Sequence, residues 1–60
     1  MGMDSTLWTT AELANFLQLP VGTLYQWHHR GEGPTALRIG RHLRYRASDL
    51  RAWLDTRVDP

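Results

Sequence analysis

Arg38, Arg41, His42 and Arg44 stand close together in the chain, interleaved with Leu37, Ile39, Leu43 and Tyr45 around Gly40. Alternation of cationic and apolar side chains about a glycine predicts a short β-hairpin with the apolar residues inward and the arginines outward. Guanidinium groups on so narrow a ribbon suit phosphates or the floor of a narrow minor groove. The plain alternative is an edge hairpin kept soluble by its charge. Upstream, Gly22, Tyr25, Gln26 and His29 recur at helical spacing opposite Leu24, Trp27 and His28. A helix anchored on one face and polar on the other can enter the major groove. There Gln26 could accept from N6 and donate to N7 of an adenine. Tyr25 and His29 can donate to phosphates or bases, Thr23 and Arg30 can reach flanking phosphates, and Gly22 allows close approach. The candidate DNA-binding residues are therefore Thr23, Tyr25, Gln26, His29, Arg30, Arg38, Arg41, His42 and Arg44.

Charge distribution points the same way. The net charge is only +1, but residues 28–46 hold five arginines against Glu32 alone, a local excess of +4. Clustered bases, rather than total charge, mark a polyanion binder. With 60 residues the chain is one domain with room for little more than a small core. That size disfavours an enzyme pocket with its supporting shell. Arginine, histidine and tyrosine are the residue types of a tyrosine recombinase, but Tyr45 falls in the inward phase of its strand, so no catalytic residue is expected. The absence of cysteine excludes disulfides and thiolate metal sites. His28 and His29 project about 100° apart on a helix and do not converge on one ion, so no metal, cofactor or small-molecule ligand is expected. Gly2 and Thr6 fit a short N-myristoylation pattern, but a single acyl chain holds a membrane only marginally, and no membrane partner is expected. The absence of cysteine also fits a reducing, cytoplasmic compartment.

The elements that must position these residues are marked by local signals. Thr9 and Glu12 form the two ends of a capping box, and Leu13, Ala14, Phe16 and Leu17 place a helix over 10–17. Trp8, just ahead of the cap, is expected to pack on Leu13. A second helix starts near Pro20 or Val21 and ends at Gly31. A third runs from about Ala47, with Leu50, Trp53 and Leu54 inward and Val58 extending the stripe. The predicted core is Leu13, Phe16, Leu24, Trp27, Ile39, Leu43, Tyr45, Leu50, Trp53 and Leu54. The expected fold is α+β and mostly α: a three-helix winged helix-turn-helix over residues 7–58 with a two-stranded hairpin wing, after a disordered tail at 1–6.

In order and spacing the chain resembles the small winged helix-turn-helix proteins of the excisionase family, in the MerR-like superfamily. The likeness covers about residues 7–57. It is carried by Leu7-Trp8-Thr9-Thr10-Ala11-Glu12-Leu13-Ala14, Thr23-Leu24-Tyr25-Gln26-Trp27 and Arg30-Gly31-Glu32-Gly33-Pro34. It continues through Arg38-Ile39-Gly40-Arg41-His42-Leu43-Arg44-Tyr45-Arg46 and Asp49-Leu50-Arg51-Ala52-Trp53-Leu54. The resemblance implies double-stranded DNA binding, with helix 2 in the major groove and the wing in the adjacent minor groove. It also implies protomers side by side on DNA that bend an attachment site for a separate integrase. Relatives include small transcription regulators, the alternative role; that the chain ends where the fold ends favours the excisionase. A protein-interaction module is the reading from another class, and its binding would show little of the salt dependence of a DNA complex. The chain departs from the family at Leu19-Pro20, where a capping Ser or Asp is usual. It departs again at Tyr25, Gln26, His28 and His29, where relatives are often basic, which points to weak binding per protomer.

Overall fold

A computed structural model describes residues 6–59. The element order is β1 (Leu7–Thr9), α1 (Thr10–Leu17), α2 (Val21–Arg30), β2 (Leu37–Ile39), β3 (His42–Arg46) and α3 (Ala47–Asp55). The result is an α+β winged helix-turn-helix. Most of the proposed tail, Gly2 included, lies outside the described residues; the Thr6 carbonyl accepts from Ala47 N–H at 3.0 Å.

Helix α1 starts where the capping box places it. The Thr9 hydroxyl accepts from Glu12 N–H at 3.0 Å, and the Glu12 carboxylate accepts from Thr9 N–H at 2.9 Å. Thr9→Ala removes one of these bonds and is expected to cost about 1 kcal/mol, read as a lower urea midpoint. The helix stops at Gln18, which is left-handed at φ 59° and donates to Asn15 O, while Leu19 N–H reaches Ala14 O. Pro20 then pre-sets α2 without a side-chain cap. Helix α2 closes on Gly31 at φ 71°, with Gly31 and Glu32 donating to His28 and Trp27 carbonyls. In α3, Asp49 in the first turn accepts from Arg46 Nε at 2.8 Å, an exposed pair worth little by itself.

The core is Leu13, Ala14, Leu24, Leu43, Tyr45 and Leu50, with Trp8, Leu17, Trp27, Ala36, Trp53 and Leu54 partly buried around it. Two predicted core residues are not in it: Phe16 is 54% exposed and Ile39 51%. Side chains advance about 100° per residue on a helix, so Thr10, Leu13, Ala14 and Leu17 share the inward arc and Phe16 falls at its rim. There it meets Trp8 edge-on, ring centroids 5.2 Å apart at 71°, and so takes the contact expected of Leu13. Val58 lies beyond α3 and is 74% exposed, so it does not extend the inward stripe.

The sheet is larger than the expected hairpin. It is antiparallel in the order β1-β3-β2, with Leu7, Trp8 and Thr9 opposite Arg46, Tyr45 and Arg44. Its hairpin also has a different phase. Ile39 pairs with His42 and Arg38 with Leu43, leaving Gly40-Arg41 as a two-residue loop. Gly40 takes φ 62° ahead of an ordinary φ at Arg41, the sign pattern of a type II′ turn. A three-residue loop would have put Leu37 and Ile39 on the face of Leu43 and Tyr45. The shorter loop reverses β2, and Leu37 and Ile39 share the face of His42 and Arg44 instead.

Candidate nucleic-acid interface

Helix α2 divides as its spacing predicts. Leu24 is wholly buried and Trp27 and His28 half-buried, whereas Tyr25, Gln26, His29 and Arg30 are exposed. Thr23 is half-buried, less accessible than the others, and its N–H donates to Pro20 O at 3.0 Å. No acidic residue lies in the first turn, and nothing stands within 4 Å of where a Cβ on Gly22 would be. The start of α2 is thus an open, partly positive surface.

The hairpin distributes its cations differently from the sequence reading. Arg41 is exposed in the loop; His42, also exposed, shares one face of the ribbon with Arg44, while Arg38 lies on the other, opposite Leu43. Arg44 is half-buried, and its Nη1 donates to Leu43 O at 2.8 Å, so its guanidinium is held back against the strand. Arg46 was not among the candidates, and its charge is offset by Asp49. The ribbon therefore carries positive charge at its tip and on both sides rather than on a single outward face.

Tyr45 joins this ribbon to the helices. It is 2% exposed, and burial pushes its phenol above the ordinary tyrosine value; a side-chain hydrogen bond with Thr10 acts against that, and the Tyr25 phenol adds to it. A folded-state phenol held neutral supports stability below the ordinary tyrosine value of 10.0, and that support is lost as pH rises through the higher folded value. Tyr45→Phe, which keeps the ring but loses the Thr10 bond, is expected to cost about 1 kcal/mol and to remove this alkaline contribution. Urea titrations at neutral and alkaline pH measure both.

A family model described as a helix-turn-helix domain matches residues 9–58, from the α1 cap through both α2 and the ribbon. The chain belongs to the helix-turn-helix domain family. No curated protein and no solved structure matches it. A helix-turn-helix domain is a sequence-specific DNA-binding unit in which the second helix reads bases, and α2 holds that place here. Among the described residues of this helix-turn-helix domain, no helix is long and apolar enough to cross a membrane, and no group of three His, Cys, Asp or Glu residues could hold a metal.

Sequence reasoning treated Trp27 and Trp53 only as core. Their rings lie 5.4 Å apart and line an open cleft with Glu32 and Arg57. The spacing of Trp53 and Arg57, one helical turn, was the available signal.

Proposed function

We propose that this helix-turn-helix domain reads double-stranded DNA with α2 in the major groove and the β2–β3 ribbon in the neighbouring minor groove, without catalysis or cofactor. The observation that carries the reading is the division of α2: Leu24 wholly buried, Gln26 and His29 on the free side. The ribbon supports it, because cations on both of its faces suit an element lying between two phosphate walls. In this reading Gln26 reads an adenine edge. Tyr25, His29 and Arg30 contact bases or flanking phosphates, Thr23 adds a phosphate contact, and Arg38, Arg41, His42 and Arg44 serve the wing.

The role is that of an excisionase, bending attachment-site DNA for a separate integrase. Helix α2 carries no lysine or arginine before Arg30, so attraction per protomer is modest and cooperative side-by-side binding follows. A footprint on DNA flanking the gene tests the role. Protected repeats at an attachment site support excision, whereas protection confined to a promoter replaces that role with transcription control. A gel-shift titration showing tight binding of a single copy would count against cooperative assembly.

A further inference from the structure

Where α2 and α3 both end, Trp27, Gly31, Glu32, Gly33, Trp53 and Arg57 line an open cleft of about 650 Å³. Its walls are two indoles inclined at 48°. A Cβ on Gly33 would stand 2.8 Å from Trp27 Cε3, so the loop backbone lies directly against that ring and holds it in place. Glu32 and Arg57 bring one charge of each sign to the lining, and His28, His29 and Arg30 occupy the last turn of α2. Helix α2 finishes at Arg30 and α3 at Asp55, which brings the negative ends of both dipoles to this side. Glu32 adds an exposed carboxylate that no hydrogen bond or ion pair engages among the described residues. One cation of the chain already lies here: the Arg57 guanidinium is 5.5 Å from the Trp53 ring centroid, its Nε donating to Thr56 Oγ1 at 3.3 Å.

We infer that this cleft is a docking site for an arginine side chain of a basic protein partner, stacked against the indoles and paired with the Glu32 carboxylate. Arginine fits better than lysine because its planar guanidinium stacks on tryptophan, as Arg57 does on Trp53. The site adjoins the end of α2, directly after Arg30, but its lining includes none of the side chains assigned to DNA.

The test uses the whole chain and two short peptides, one rich in arginine and one with citrulline in its place. Binding is followed through the indole N–H resonances, with Trp8 as the internal control. The arginine peptide is expected to shift Trp27 and Trp53 saturably and leave Trp8 unmoved. Glu32→Gln should weaken binding about two- to fivefold. Arg57→Ala, which uncovers Trp53, should tighten it by about the same factor. Equal shifts from the citrulline peptide, or none from either, would overturn the proposal. So would shifts that follow protein concentration without peptide, which would put a second copy in the cleft.

Discussion

Leu24→Ala is expected to cost about 2–5 kcal/mol, while Phe16→Ala costs about 1 kcal/mol. Both are large apolar residues on short helices, and the sequence alone places both in the core. Leu24 is 0% exposed and Phe16 54%. Truncating Leu24 removes buried methyl groups and leaves a cavity that closely packed neighbours fill only in part. Truncating Phe16 removes little more than its edge-on contact with Trp8. A domain of this size holds on the order of 3–9 kcal/mol in total, so the Leu24 variant sits at or past the edge of folding. Because Leu24 anchors α2 in the core, DNA binding should fall with the folded fraction. Urea denaturation followed by circular dichroism separates the two variants, and equal losses would refute the assigned core.

Gln26→Ala and Arg41→Ala should both weaken DNA binding, in distinguishable ways. Gln26 is exposed on α2, and an amide paired with an adenine edge contributes about 1–3 kcal/mol of discrimination. Its loss should flatten preference at one base position and leave the salt dependence intact. Arg41 is exposed in the two-residue loop, where phosphate is the target proposed for it. Its loss should weaken all sequences alike and reduce the salt slope by about one. Arg44→Ala should do less than Arg41→Ala, because its guanidinium already donates to Leu43 O. Binding titrations on a matched and a single-substituted duplex at several salt concentrations resolve all three. Identical behaviour of Gln26→Ala and Arg41→Ala would remove the distinction between reading and positioning.

The helices were legible in the sequence because their ends are written in local chemistry: the Thr9–Glu12 box, Pro20 ahead of α2 and Gly31 after it. The strands were less so. β1 is three residues long and overlaps the α1 cap, and its pairing of Leu7 with Arg46 joins residues remote in the chain. Hairpin phase depends on whether the loop has two residues or three, and Gly40-Arg41-His42 is compatible with either. That single residue decides which side Leu37, Arg38 and Ile39 occupy. On α2, helical spacing alone separated the buried Leu24 from the exposed Tyr25, Gln26, His29 and Arg30. The Trp27–Trp53 cleft was hidden because tryptophan reads as core, and only the meeting of two helix ends turns part of each ring outward.

The most direct measurement is fluorescence anisotropy of a labelled duplex titrated with the protein across a range of salt concentrations. If α2 and the ribbon grip neighbouring grooves, log K falls linearly with log salt, by roughly 0.9 for each phosphate engaged, and Arg41→Ala gives a shallower line. An affinity indifferent to salt, or one that survives replacement of both Gln26 and Arg41, would contradict that grip.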